Sequence, residues 1–149
     1  MELVLNQEGM EPFESAKDLK IFVACEDPDL AGQACAFLDK LRRTNKAKGR
    51  LIYSWWNFEV LTLTAFQDQA VSEAVAADMI VFVARERSKL PKAVADWISL
   101  WLTTGACRRR ALVAVLVSDP ASKGASRRLI SKLRQIAAMG RMDFLARRA

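Results

Sequence analysis

Residues 19–25 read LKIFVAC, a run with a single charged side chain, and EDP follows directly at residues 26–28. A short apolar run without alternating polar residues is typical of a strand buried on both faces of a parallel sheet. Asp27 can cap a helix that begins at Pro28, because proline lacks only an N–H that a helix start leaves unpaired. This segment therefore predicts a buried strand followed at once by a helix.

The same alternation continues along the chain. Further strands are predicted at 50–58, 79–84, 111–117 and 142–146, and apolar side chains at helical spacing separate them. The stretch 57–63 is either an extended connection or a continued edge strand. Strands without a polar face need helices on both sides of a parallel sheet. We therefore predict an α/β fold, a three-layer, doubly wound, five-stranded parallel sheet of flavodoxin-like order 2-1-3-4-5.

The amino-acid composition limits the kinds of catalytic and metal sites that the protein can contain. The chain has 149 residues, of which 52% are hydrophobic and 27% are charged, which fits one globular domain. It contains no histidine, so histidine-based catalysis and histidine metal ligation are excluded. The three cysteines have no CxxC spacing, which favours a reducing compartment over a disulfide scaffold.

Charge is distributed unevenly. Residues 1–18 carry a net charge of −4 within a chain whose net charge is +6, so the remainder is strongly basic. We predict an acidic N-terminal arm at 1–18 and one domain at 19–149. The first residues, MELVLNQEGM, do not resemble a signal peptide, and no apolar run is long enough to span a bilayer. The expectation is a cytoplasmic protein with no membrane association.

The carboxyl ends of parallel strands share one edge of the sheet, where such folds bind ligands. The residues predicted to meet there as a tentative ligand site are Glu26, Asp27, Arg85, Arg87, Ser118 and Asp119. Arginine can hold a phosphate, and the two carboxylates Glu26 and Asp27 can hold Mg²⁺. The alternative is structural: the same acids cap the helix that follows.

The segments IFVACEDPDL and DMIVFVARE resemble response-regulator receiver domains, whose first strand also ends in acidic residues. That resemblance implies a flavodoxin-like signalling module. A receiver has its phosphoacceptor aspartate at the end of the third strand, where this chain has Val83, Ala84 and Arg85, so no phosphotransfer is predicted. The loop CEDPDLAG is too acidic for the FMN phosphate of flavodoxins, and no GxGxxG or GxxxxGK[ST] pattern occurs. We predict no cofactor and no catalytic residue.

Two neighbouring tryptophans mark the second strand. Adjacent strand residues point to opposite faces, so Trp55 and Trp56 cannot both be buried easily if this strand lies at an edge. Tryptophan is enriched at protein interfaces. We therefore predict a partner-binding or self-association surface that includes Trp55, Trp56 and Phe58, with the core as the alternative. Trp56→Ala is expected to change association with little loss of thermal stability.

The cysteine at the end of the first strand and the basic residues of the chain remain to be interpreted. Cys25 is expected to be an inert buried thiol, because Glu26 and Asp27 follow it. Basic residues collect at the edge opposite the ligand site: Arg42, Arg43, Lys46, Lys48, Arg50, Arg108, Arg109, Arg110 and Arg141. They either bind nucleic acid or stabilise the helix ends that they follow.

Residues 20–117 resemble a family of small uncharacterised bacterial proteins through W-x-F-E-V-L, A-A-D-M-I-V, L-P-x-x-V-x-x-W-I and R-x-A-L-V-A-V-L. That resemblance implies a flavodoxin-like fold and no particular activity. The leading prediction is a non-catalytic, receiver-like interaction module that binds a protein partner or itself. The alternatives are a small-molecule, phosphate or Mg²⁺-binding enzyme at the carboxyl edge and a nucleic-acid-binding protein at the basic edge.

Overall fold

Five parallel strands form one sheet in the order β2-β1-β3-β4-β5. The computed structural model describes residues 18–44, 49–86, 88–103, 109–118 and 127–148. The strands are β1 (Leu19–Cys25), β2 (Leu51–Asn57), β3 (Met79–Arg85), β4 (Ala111–Val117) and β5 (Asp143–Arg148). The helices are α1 (Ala31–Thr44), α2 (Phe58–Leu61), α3 (Thr64–Ala76), α4 (Lys92–Thr103) and α5 (Arg128–Met139), and a 3-10 turn (Pro28–Leu30) precedes α1. The predicted flavodoxin-like α/β fold is confirmed.

The stretch after β2 differs from both sequence predictions. Residues 58–61 form the short helix α2 rather than an extended segment. Phe58 and Leu61 are three residues apart and both are buried. A helical turn puts these two side chains on one face, toward the core, whereas an extended chain would point them to opposite sides.

The helices divide unequally between the two faces of the sheet. β2 lies on one side of β1, whereas β3, β4 and β5 lie on the other side, so the chain moves across the sheet in one direction from β1 to β2 and in the opposite direction afterwards. Because connections between parallel strands are right-handed, the helix after β1 and the helices after β2 lie on opposite faces. In the described residues, α1 packs on one face against Ile21, Val23 and Val81, among others. The other four helices pack on the opposite face, where Trp97 stacks on Phe22 and meets Trp101 edge-on. Trp97 and Trp101 on α4 are fully buried.

A glycine permits close packing at the end of α5. A Cβ atom at Gly140 would lie 2.7 Å from the Cδ2 atom of Leu102 on α4, closer than side chains tolerate. The next residue, Arg141, has a φ of 54°, a left-handed conformation that turns the chain into β5. Gly140 is therefore the C-cap of α5 at a point where this helix approaches α4 closely, and the turn at Arg141 leads into β5.

The start of the sheet is held by an ion pair. Asp18 accepts hydrogen bonds from the backbone N–H of Arg50 at 3.1 Å and from its guanidinium at 3.0 Å. The guanidinium hydrogen bond is the main reason that the pKa of Asp18 lies below its usual value. Residues 1–17 of the predicted acidic arm lie outside the described residues, so the division into an arm and a domain stays a prediction.

Candidate functional sites

The carboxyl edge of the sheet brings together an acidic and a basic group across β1 and β3. Glu26 accepts a hydrogen bond from the backbone N–H of Arg85 at 2.8 Å and a second one from the Ser88 hydroxyl. The Arg85 guanidinium lies 3.6 Å from Glu26 and forms an ion pair with Asp27. The register explains the meeting, because Cys25 is paired with Val83 and both strands end here.

Asp27 has two structural roles at this edge. Its carboxylate accepts a hydrogen bond from the backbone N–H of Asp29 at 2.8 Å, which caps the 3-10 turn as the sequence predicted. The hydrogen bond from the Arg85 side chain is the main reason that the pKa of Asp27 lies below its usual value. Both Asp27 and Glu26 therefore direct oxygens to neighbouring protein groups, and Arg85 is neutralised by the acids beside it.

The rest of the predicted ligand site divides between described and undescribed residues. Ser118 is exposed directly after β4, while Arg87 and Asp119 lie outside the described residues. Within the part of the chain that the structure describes, no cluster of three or more metal-ligating side chains is present. The ligand site, with its Mg²⁺ option at Glu26 and Asp27, stays a prediction.

A buried carboxylate at the same edge was not singled out from the sequence. Glu86 is buried, and it pairs with the guanidinium of Arg148 at 2.7 Å. Its backbone N–H donates to the carbonyl of Val117, so the residue continues the contact between β3 and β4. The sequence places Glu86 after β3 but gives no sign that the last residue of β5 reaches it.

Cys25 lies at the end of β1 and is almost fully buried. Burial raises the pKa of its thiol to about 11, and the charge of Asp27 contributes in the same direction. The thiolate, which is the nucleophilic form, is therefore scarce at neutral pH. The side chain packs against the apolar face under α1.

The two tryptophans of β2 have different environments. Trp55 is 45% exposed, the largest exposure of any tryptophan in the described residues. Trp56 is partly buried, stacks on Phe22 with a ring separation of 6.0 Å, and donates from Nε1 to Glu73 at 2.9 Å. Burial raises the pKa of Glu73, but the hydrogen bonds from Gln69, Trp56 and Ser54 together lower it by more than burial raises it. The net effect is a pKa below the usual value.

Phe58 requires a correction. It was predicted to lie on the interaction surface, but it is buried and its ring packs edge-on against Phe82 at 6.2 Å. The turn of α2 rotates it away from the solvent. Trp55 therefore remains the exposed member of the predicted set, and the expectation that Trp56→Ala leaves stability unchanged is not supported by the contacts of Trp56.

A shallow groove lies beside Trp55, between the end of β2 and helices α2 and α3. Its volume is about 630 Å³, and its lining is formed by Trp55, Trp56, Asn57, Val60, Phe66 and Gln69. Phe66 is exposed, as is Ile52 farther along the strand. We call β2 together with this groove the β2 surface.

The two edge strands of the sheet differ in charge. β2, LIYSWWN, contains no charged residue, whereas β5, DFLARR, contains Asp143, Arg147 and Arg148. Proteins commonly protect exposed sheet edges with charged side chains, which hinder pairing with another chain. The β5 edge has this protection and the β2 edge lacks it.

Four of the six described residues of the predicted basic edge contact groups within the protein. Arg50 pairs with Asp18, Arg42 with Asp39, and Arg109 with Asp143. Arg110 is buried, donates to the carbonyls of Ala74 and Val75 at the end of α3, and lies 5.5 Å over the ring of Trp101. Arg42 lies in the last turn of α1, as the helix-end interpretation expects, and Arg110 donates to the end of α3 rather than of α4, the helix that it follows. Arg50 and Arg109 instead pair with aspartates at the starts of strands. Lys46, Lys48 and Arg108 lie outside the described residues, and nucleic-acid binding stays a prediction.

The comparisons with known proteins assign neither a family nor a function to this chain. No family model matches the chain, and a search of curated proteins found no match. Among solved structures, the crystal structure of the IL-17 receptor B SEFIR domain is similar at 14% identity, over 87% of this chain and 85% of that chain, with a TM-score of 0.40. A likeness this distant carries no functional argument. The resemblance to small bacterial proteins stays a prediction.

The fold and the β2 surface define the class of the protein as an α/β, flavodoxin-like domain in which the uncharged outer edge of β2 is paired with no further strand among the described residues. None of the helices in the described ranges has the length and hydrophobicity required to cross a lipid bilayer.

Proposed function

We propose that this protein is a non-catalytic, receiver-like interaction module that binds an extended segment of a partner protein along β2. The observation that supports this function is the contrast between the uncharged β2 edge, with Trp55 beside it, and the charged β5 edge. An exposed strand offers unpaired backbone N–H and C=O groups, and an added strand pairs with them.

The β2 surface suits such a segment in two ways. Backbone pairing along β2 would supply affinity, and the groove beside Trp55 and Phe66 would select an apolar side chain. An exposed tryptophan next to a pocket is a frequent centre of binding energy. A separate partner is favoured over a second copy, because two chains of net charge +6 repel each other.

The experiment places the same charge on the β2 edge and on a control surface. Ile52 on β2 is 40% exposed and Leu100 on α4 is 43% exposed, so the ammonium group of a lysine can reach solvent at either position. The affinity-tagged full chain and its Ile52→Lys and Leu100→Lys variants are crosslinked in extracts of the source cells. Captured proteins are identified by mass spectrometry, and light scattering gives the mass of each purified chain.

We expect at least one crosslinked protein to be lost with Ile52→Lys and retained with Leu100→Lys, while all three chains melt within about 2 °C of one another. Its binding should also weaken with Trp55→Ala. Equal capture by all three chains would refute the β2 surface as the binding site. If the wild-type chain is a dimer and Ile52→Lys makes it monomeric, the occupant of the β2 surface is a second copy of this chain and not a separate partner.

A further inference from the structure

A second surface lies on the opposite side of the molecule, over β4 and β5. In the described residues, the face that α1 covers has no other helix on it. Leu145 on β5 is paired with Val113 on β4, which belongs to this face, so the two side chains point the same way. Leu145 is 51% exposed. An apolar side chain thus lies open beyond the reach of α1.

A groove of about 400 Å³ runs between α1 and β5. It is lined by Gln33, Ala36, Phe37, Lys40, Val115, Arg147 and Arg148. The spacing of the four α1 residues places them on one face of the helix. The Arg147 guanidinium lies 5.9 Å from the centroid of the Phe37 ring, a cation–π contact that holds it over the apolar floor.

The rim of this groove is positively charged. Arg148 is paired with Glu86, but no described carboxylate forms an ion pair with Lys40 or Arg147. Gln33 and Ala36 add no charge on the α1 side. The groove therefore combines an apolar floor with two cations available to an incoming carboxylate, which predicts an acidic ligand with apolar side chains.

The chain itself contains one segment of that chemistry, at residues 1–17, MELVLNQEGMEPFESAK. This segment lies outside the described residues. It contains four glutamates and one lysine, with apolar residues between them: Leu3, Val4, Leu5, Met10 and Phe13. It joins the sheet at β1, three strand spacings or about 14 Å from β5. An extended chain of this length reaches about 56 Å, so the groove is within reach.

We propose that the groove between α1 and β5 is an intramolecular binding site for residues 1–17, whose apolar side chains contact Leu145 and whose glutamates pair with Lys40 and Arg147. This inference is independent of the proposed function, because it concerns the β5 edge of the sheet rather than the β2 edge. Attachment to the same chain gives the segment a high effective concentration at the groove, so a modest intrinsic affinity is enough.

The test uses nuclear Overhauser effects (NOEs) in the isotope-labelled full chain. We expect NOEs from the side-chain protons of Leu3, Leu5 or Phe13 to the methyl groups of Leu145 and Ala36. A mixture of labelled and unlabelled chains distinguishes contacts within one molecule from contacts between two. NOEs that appear only between molecules would assign the groove to a second copy and overturn the proposal.

Variants distinguish a specific site from chance contact. Leu145→Ser should abolish the NOEs from the segment to the Ala36 methyl group, which the substitution itself leaves in place, whereas Leu100→Ser on α4 should leave them unchanged. Replacing Glu8 and Glu11 by glutamine should weaken them about fivefold, since two exposed ion pairs are removed. Absence of NOEs from residues 1–17 to the groove in the folded wild-type chain would refute the proposal, as would NOEs that are equally strong in Leu145→Ser.

Discussion

Replacement of Trp56 by alanine tests how the β2 surface is attached to the core. The ring stacks on Phe22 at 6.0 Å, and its Nε1 atom donates to Glu73 at 2.9 Å. Removing a partly buried indole and its stacking costs about 2 kcal/mol, and removing a hydrogen bond to a carboxylate costs about 1 kcal/mol more. We expect Trp56→Ala to lower the free energy of unfolding by about 3 kcal/mol, a decrease in Tm of about 6–12 °C for a chain of this size.

Two matched variants separate these contributions. Trp56→Phe keeps an aromatic ring over Phe22 and removes only the donor, so it should cost about 1 kcal/mol. Trp55→Ala removes an exposed ring and should cost less than about 1 kcal/mol. Urea unfolding followed by far-UV circular dichroism measures all three without depending on tryptophan emission. If Trp55→Ala destabilises the chain as much as Trp56→Ala does, our distinction between the surface residue and the anchoring residue is wrong.

Two further predictions concern the end of β1. With iodoacetamide at pH 8, exposed Cys35 should be alkylated readily, while Cys25 should stay unmodified until the chain is unfolded, because its thiol is buried and has a pKa of about 11. Mass spectrometry of peptides gives the order in which the two thiols react. Simultaneous modification of both would contradict this prediction. Asp27→Asn should reduce stability by less than about 1 kcal/mol at pH 7, because asparagine keeps the cap and loses only a partly exposed ion pair with Arg85. Since the folded-state pKa of Asp27 is lowered, its contribution is complete above the unfolded pKa near 3.9 and is lost as pH falls through the folded value. The stability difference between wild type and Asp27→Asn should therefore disappear in acid, and a difference that grew below pH 4 would refute the assignment.

Much of the carboxyl edge could be predicted from the sequence, because the carboxyl ends of parallel strands lie at the same edge of a sheet. Glu26, Asp27 and Arg85 follow two strands that pairing rules make neighbours, and the structure brings them together. The pairing of buried Glu86 with the exposed Arg148 side chain could not be predicted, because it depends on how far β5 extends beside β4. No local pattern encodes that length.

Only part of the β2 surface could be predicted from the sequence. Alternation along a strand separates Trp55 from Trp56, and an edge position leaves one of them exposed. Which one is exposed depends on the helix layer: α3 supplies Glu73 to Trp56, whereas Trp55 points to the face that α1 covers. Phe58 shows the same limit, since the chain direction after β2 changes with the single turn of α2.

The sequence by itself determined the succession of strands and helices, the parallel sheet and its order, because uninterrupted apolar strands require cover on both faces and right-handed connections leave few arrangements. Tertiary structure alone decided which charges are neutralised, which tryptophan faces solvent, and that a groove opens between α1 and β5. Those properties arise from distances between residues far apart in the chain, and hydrophobic periodicity reports only on near neighbours.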